Sequence, residues 1–329
     1  MYRPTPVRAA ARGAVLIPTE SKTDGGVAQV HAVVVSWEGA GLLPSCLAAL
    51  GASRPPFAEI VVVDNGSIDD SRAILRRNFP SVKLLALPAN VGYGRANNEA
   101  LRCALSSPAE FVALVNNDVE LSPDWLRHTL AAAAAHPEAG LFAGTLLFRG
   151  EERVNSTGLE IDGFGRARDR DFRLPLPELR REDGPVTGVS GGAALLRVSM
   201  LRAIGLFDPD YFAYYEDVDL SLRAAAAGYH SWYVRAALAQ HRFGATFGAG
   251  SPRQRFLLGR GHLRTLALHQ PWPRALALVP LTAAYRALVK APLELVRLRP
   301  ALAWAELHAA FSGTAAAVLA AVARARRSK

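Results

Sequence analysis

IVVVDNGSIDDS, residues 60–71, is the stretch that decides the fold. Four β-branched residues in a row, Ile60 to Val63, run directly into Asp64, Asn65 and Gly66. A continuous run without polar alternation is what a strand buried on both faces requires, and Asp-Asn-Gly ends it in a turn. Ser67 with Asp70 three residues on has the spacing of a capping box, with Asp in place of Glu or Gln, and predicts a helix starting there. Outward from this unit, VHAVVVS (30–36) reads as a second buried strand. Residues 39–50 follow it with Leu42, Leu43, Leu47 and Leu50 at helical spacing. Downstream come a strand at 82–86, a helix at 94–105 and a strand at 111–115. Strand and helix alternating through short connections predict an α/β fold around a mostly parallel, doubly wound sheet. Ligands of such sheets bind beyond the carboxyl ends of the strands.

That rule singles out four segments: Ser36-Trp37-Glu38, Asp64-Asn65-Gly66, Asn90-Val91-Gly92-Tyr93-Gly94 and Asn116-Asn117-Asp118. Turns are commonly polar, but four such ends on one sheet edge are expected to converge on one crevice. From 141 to 198 the pattern changes to short strands with Gly and Pro breaks and a charged loop at 166–183, which fits a small antiparallel part. Residues 213–227 return to helix and 228–234 to strand. Beyond Arg253 the chain reads as alanine-rich helices interrupted by Pro271, Pro273, Pro280, Pro292 and Pro300.

Composition narrows the class. Half of the 329 residues are hydrophobic and 20% are charged, which excludes general disorder. Two cysteines, Cys46 and Cys103, cannot build a disulfide framework or a zinc site and suit a reducing cytosol. The net charge of +9 is uneven: residues 251–329 hold 13 Arg or Lys against two acids, so the first 250 residues are slightly acidic. We therefore expect a flexible lead-in at 1–28, an α/β domain at 29–250 and a basic helical extension at 251–329.

Five segments together resemble glycosyltransferase family 2, whose fold is GT-A, and in particular its rhamnosyltransferase-like bacterial members. They are VVVSWEGAGLLPSCLAAL (33–50), IVVVDNGSIDDS (60–71), NVGYGRANNEAL (90–101), FVALVNNDVELSPDWL (111–126) and IGLFDPDYFAYYEDVDLSLRAAAAGY (204–229). The resemblance covers about residues 30–245 and implies an inverting transfer of a sugar from a nucleoside diphosphate to an acceptor hydroxyl. It places Asp64 where a carboxylate hydrogen-bonds the pyrimidine N3–H, the alternative being an ordinary turn residue before Gly66. Ser36 and Trp37 fall in the block whose aromatic stacks on the base, although a core Trp reads the same way. Glu38 stands where Asn is more usual. Asn90, Gly92 and Arg95 match the block near the phosphates, where glycine lets backbone approach a ligand. Asn116, Asn117 and Asp118 occupy the position of the DxD metal motif, with Asn116 in place of its first acid. Asp118 is the implied ligand of Mg2+ or Mn2+, joined by His241 in AQHRFGA, for which a structural histidine is the alternative. Gly191 and Gly192 leave room near donor sugar and acceptor. Glu216 and Asp217 stand at the family's ED motif: Asp217 as the general base and Glu216 as the residue that orients the acceptor. Acids in a helix first turn also interact favourably with its dipole, and Asp219 fits that structural role.

The extension lies outside this resemblance. Residues 301–323 are long enough to span a bilayer but are dominated by Ala and include Glu306 and His308. Helices lying on the inner leaflet of the plasma membrane, arginines at the headgroups, fit better. That suits a cytoplasmic, peripheral enzyme with a polyprenyl-linked or other cell-envelope glycan acceptor, with dTDP-rhamnose the first candidate donor and a UDP-sugar the next. A soluble cap or a homodimer interface is the alternative. Two rival functions have weaker footing. A nucleotidyltransferase would need a basic, glycine-rich loop after the first strand, which SWEGAGL lacks. The other is a non-catalytic binding or scaffolding protein, either a decayed transferase or a basic nucleic-acid binder; the latter would need aromatics interleaved with the tail's arginines, so nucleic acid is not the expected partner.

Overall fold

The computed structural model describes residues 28–245 and 248–327, so the lead-in expected at 1–28 falls almost wholly outside the described residues. The first half alternates β1 (Val30–Ser36), α1 (Leu43–Gly51), β2 (Glu59–Asp64), α2 (Ser71–Asn78), β3 (Lys83–Ala86), α3 (Tyr93–Leu105) and β4 (Phe111–Asn116). The four strands are parallel in the order β3-β2-β1-β4. All seven β1 residues are buried because both sheet faces are covered. Val30, Ala32 and Val34 pack with Leu43, Leu47 and Leu50 of α1. Val33 and Val35 pack with Ala96, Ala100 and Leu101 of α3 on the opposite face. Each fully buried valine or leucine of this kind contributes roughly 1.5–3 kcal/mol.

The second half adds β5 (Val119–Leu121), α4 (Trp125–Ala135), β6 (Ala139–Phe148), β7 (Val154–Ser156), the hairpin β8 (Leu159–Ile161) and β9 (Ala167–Asp169), β10 (Gly184–Val186), β11 (Ala193–Arg197), α5 (Val198–Ile204), α6 (Glu216–Ala226) and β12 (His230–His241). β11 lies antiparallel between β4 and β6, and β12 runs parallel to β6. The antiparallel start of β11 thereby meets the carboxyl end of β4, with Ala193 opposite Val115. This is the GT-A arrangement of a mostly parallel sheet with a small antiparallel part.

Several element boundaries differ from the sequence reading. α2 begins at Ser71, not at Ser67. Ser67 Oγ accepts instead from the Glu38 N–H across the β1–α1 loop, and Asp69 Oδ1 accepts from the Ser71 N–H. α6 starts at Glu216 because Tyr214 and Tyr215 are left-handed, with φ of 66° and 73°, and cannot continue a helix from 213. The segment after 141 is less broken than expected: β6 is ten residues long and β12 extends to His241.

Beyond β12 stand α7 (Pro252–His269), α8 (Trp272–Tyr285), a π-helical turn at Arg286–Lys290, α9 (Ala291–Val296) and α10 (Pro300–Arg327). α10 packs along α7 and touches α8 and α9. Glu306, fully buried in α10, pairs with Arg286 of the π turn and with Arg255 of α7. A π turn is an irregularity that re-aims side chains, and here it carries Arg286 under the helices. Removing one partner of a buried ion pair leaves the other charge uncompensated. Glu306→Ala should therefore cost about 3 kcal/mol in urea denaturation, and a loss below half a kcal/mol, on the order of a surface substitution, would rule out this pin.

Candidate active site

Beyond the carboxyl ends of β1 and β4 opens a cavity of about 270 Å3. Trp37, Asn65, Asn90, Gly92, Asn116, Asn117 and Asp118 line it from the parallel half, Gly191 and Gly192 from the loop before β11, Glu216 and Asp217 from α6, and His241 from the end of β12. The strand ends converge because of register: Ser36 stands opposite Asp64, and Val35 opposite Asn116.

The acid wall is set by backbone. Two successive left-handed non-glycine residues, Tyr214 and Tyr215, turn the chain sharply into α6, at a cost of order 1–3 kcal/mol each. Tyr215 is held there by stacking on His262 and by accepting the Ala167 N–H on its hydroxyl. The neighbouring Gly92, at φ 90°, lies so close that a Cβ would sit 2.4 Å from the Phe212 carbonyl oxygen. Asp217 is fixed through both oxygens: Oδ2 accepts the Gly191 N–H at 2.9 Å and Oδ1 the Val218 N–H at 2.8 Å. Gly191 is itself fixed by the Tyr93 hydroxyl, which donates to its carbonyl at 2.8 Å.

Glu216 is buried beside Asp217, and its Oε2 has no hydrogen-bond partner among the described residues. Burial and the Asp217 charge push its pKa well above the usual glutamate range. Burial likewise raises Asp217, against the pull of the Gly191 and Val218 N–H groups. A helix N-terminus stabilises a carboxylate by only about 0.3–1 kcal/mol at an exposed site, which does not offset the desolvation of two adjacent acids. A third acid on the wall, Asp169 at the end of β9, is pushed up to about 6 by burial and by Asp217, opposed by a hydrogen bond from Ser156.

The far side of the cavity holds a donor pair. Asp118 Oδ1 faces His241 Nε2 at 3.3 Å, yet Oδ1 has no hydrogen bond among the described residues. His241 Nδ1 lies 2.8 Å from Asn155 Oδ1. An amide oxygen only accepts, so Nδ1 carries a proton, and a neutral ring then presents the Nε2 lone pair toward Asp118. Two electron-pair donors 3.3 Å apart fit neighbouring positions in the coordination shell of one cation. Asn116 Oδ1, also on the wall, is buried without a partner. No cluster of three or more His, Cys, Asp or Glu suited to a metal occurs among the described residues, so a divalent ion here would draw further ligands from a bound diphosphate and water.

Three residues to which the resemblance assigns donor binding stand off the cavity wall. Ser36 lies beneath it, its hydroxyl accepting from Asn117 Nδ2 at 3.0 Å. Asp64 is fully buried behind Asn65, with Oδ2 bound to Arg72 and Oδ1 without a partner. Arg95 points away: its Nε donates to the Pro209 carbonyl at 2.7 Å, tying α3 to the loop before α6. Trp37 lines the mouth, with the Arg253 guanidinium 5.6 Å from its ring centroid and 5.6 Å from that of Phe212. Glu38 accepts the Ile68 N–H and joins two loops.

Residues 32–205 match the family model "Glycosyl transferase family 2". The chain belongs to glycosyl transferase family 2. This family 2 chain is 29% identical over 230 residues to the N-acetylglucosaminyl-diphospho-decaprenol L-rhamnosyltransferase of Mycobacterium tuberculosis, across 64% of its own length and 74% of the relative. It is 25% identical over 173 residues to the low-salt glycan biosynthesis hexosyltransferase of Haloferax volcanii, across 51% of this chain and 53% of the other. Its backbone resembles GalNAc-T7 with UDP, GalNAc and Mn2+ at a TM-score of 0.60 and 14% identity, over 74% of this chain and 48% of that longer one. A mannosyltransferase of Pyrobaculum calidifontis with GDP-Man and Mn2+ gives a TM-score of 0.52 at 19% identity, over 92% of this chain and 88% of the other. These likenesses establish the GT-A fold of the family 2 chain.

Asn155 and Asp169 escaped the sequence reading. Both lie in 139–197, where short strands carry no periodic signal, and Asp169 sat inside what read as a charged loop. The raised Glu216 and Asp217 values have a measurable sign. Folded, the pair binds protons more tightly than unfolded, so its contribution to stability is largest below about pH 4 and falls as pH rises through the folded values. Glu216→Gln should raise the urea midpoint at pH 7 and flatten its decline from mild acid to neutral. A lower midpoint at every pH would contradict the assignment.

Proposed function

We propose that this family 2 glycosyltransferase is an inverting enzyme that moves a sugar, with rhamnose the best candidate, from a dTDP or UDP donor to a hydroxyl of a lipid-linked saccharide of the cell envelope. The observation that carries the reading is Asp217: a buried carboxylate on the cavity wall, locked through both oxygens, on the same cavity as the Asp118–His241 donor pair. The polyprenyl-linked acceptor is inferred from the decaprenyl carrier in the name of the mycobacterial relative. It implies work from the cytoplasm at the inner face of the membrane.

The geometry supports a single displacement. Each Asp217 oxygen keeps a lone pair beyond the one used by backbone, so the carboxylate can take the acceptor's hydroxyl proton as that oxygen bonds to the sugar C1. The bond from C1 to the diphosphate oxygen breaks on the opposite side, and configuration inverts. Glu216, which burial biases toward its protonated form, can donate to an acceptor or sugar oxygen and orient it. On the donor side Trp37 offers a ring for the base, and Asp64 Oδ1 has the acceptor capacity a pyrimidine N3–H would satisfy once the residues over it open. Asn90, Gly92, Asn116, Asn117, Gly191 and Gly192 supply amides and close backbone approach for ribose, phosphates and sugar, and Arg95 contributes by holding the loop before α6. Asp118 and His241 would hold Mg2+ or Mn2+, whose charge stabilises the departing diphosphate.

Two measurements test the reading. Asp217→Asn should lower kcat by a factor of about 100 or more while leaving the Kd for the nucleoside diphosphate within about twofold, a change of under half a kcal/mol. Near-normal transfer by this variant would remove Asp217 as the base. dTDP or UDP with Mn2+ should raise the melting temperature, neither alone doing so equally, and Asn155→Ala should weaken the Mn2+ requirement's midpoint about tenfold. Absence of a response to any nucleotide would sink the donor assignment, and an unchanged midpoint would detach Asn155 from the cation site.

A further inference from the structure

Among the described residues, large apolar side chains more than a third exposed are concentrated in one place. All but Ile68, Phe164, Phe172 and Leu238 lie between Trp272 and Val322. Leu288, Leu298 and Phe311 are 75%, 88% and 76% exposed, which no soluble surface gains from. On α10, Trp304, Phe311 and Val318 recur every seven residues and form one stripe. Its opposite face is alanine and glycine around the buried Glu306: Ala309, Ala316 and Ala320 are buried, and a Cβ on Gly313 would meet Leu263 of α7 at 2.5 Å. The small face is committed to α7, and the large one is turned outward.

Charge selects the occupant of that outward face. The only acids after residue 250 are Glu294 and Glu306, and both are buried in ion pairs. The exposed surface of α8 to α10 therefore carries apolar groups and cations, with Arg297 and Arg299 flanking Leu298 at the α9–α10 turn. A second copy meeting this face across a two-fold axis would bring like charges together with no acid to pair them. Anionic headgroups over hydrocarbon match both features.

We propose that the outward face of α8, α9 and α10, with Arg297 and Arg299 at its turn, docks in the plane of an anionic bilayer surface. Residues Trp272–Val296 and Pro300–Arg326 are each long and apolar enough to cross a membrane. They do not cross it, because Arg286 and Lys290 sit in the middle of the first and are drawn to Glu306 in the second, which Arg255 of α7 also holds. A span would pull this cluster into hydrocarbon and strip α10 from α7. The docked helices lie one layer from the cavity, since Gln254 and Leu258 of α7 line it.

Vesicle flotation of the full chain tests this without any sugar or acceptor, so its outcome is separate from that of the proposed transfer. The chain should float with vesicles of phosphatidylcholine and phosphatidylglycerol in equal parts, less with phosphatidylcholine alone, and be released by alkaline carbonate. Leu288→Glu with Phe311→Glu should lower the bound-to-free ratio at least about tenfold at an unchanged melting temperature, and Leu298→Glu, in the turn, gives the same reading should the double variant misfold. No flotation, equal flotation on both vesicles, or full binding by the variants overturns the proposal. Resistance to carbonate overturns the in-plane geometry, and a dimer in light scattering that the variants dissociate, without flotation, assigns the face to a second copy.

Discussion

β1 pairs with β2 so that Ser36 faces Asp64, and with β4 so that Val35 faces Asn116. A slip of one residue would turn every valine of β1 to the other face, and the two cores on either side leave no room for that. The register therefore does two things at once. It seals a sheet buried on both faces, and it brings the first polar residues after each strand to a common level, where they have only the cavity to face. β11 enters the same level from the opposite direction, which is how Gly191 comes to lie against Asp217.

Around that level the local conflicts are resolved in favour of burial. Glu216 and Asp217 stand at a helix N-terminus, where acids are ordinarily comfortable, yet both hold protons more tightly than in water. The two left-handed tyrosines before them are a cost of the same kind, sustained because Tyr215 is packed on His262 and hydrogen-bonded to Ala167. Asp219 by contrast behaves as a structural acid, since Arg223 supplies an opposite charge and His269 a ring nitrogen, each 2.8 Å from one of its oxygens.

The parallel half was legible because a strand buried on both faces leaves a run such as Ile60 to Val63 that few other environments tolerate. The convergence of strand ends followed from topology alone. What the sequence hid was direction and partnership. Ser67 has cap chemistry, but a neighbouring loop claims its hydroxyl. Arg95 sits beside the cavity-lining Gly92 and Tyr93 in the chain and points the other way in space. Asn155, from a three-residue strand with no periodic pattern around it, orients His241 across 86 positions, and nothing local to either residue announces the pair.

α7 joins two parts of the molecule that composition separates. Its residues touch the acid-bearing segment at many points: Thr265 bonds Tyr211, Gln254 bonds Tyr214, Arg264 pairs with Asp208, and Gly261 leaves no space for a Cβ beside Tyr215. The basic extension is therefore not a detachable module. Exchanging it between relatives would disturb the turn that presents Glu216 and Asp217. A substitution that shifts α7 along its axis would therefore reach both acids through that turn, although no residue of α7 is one of them.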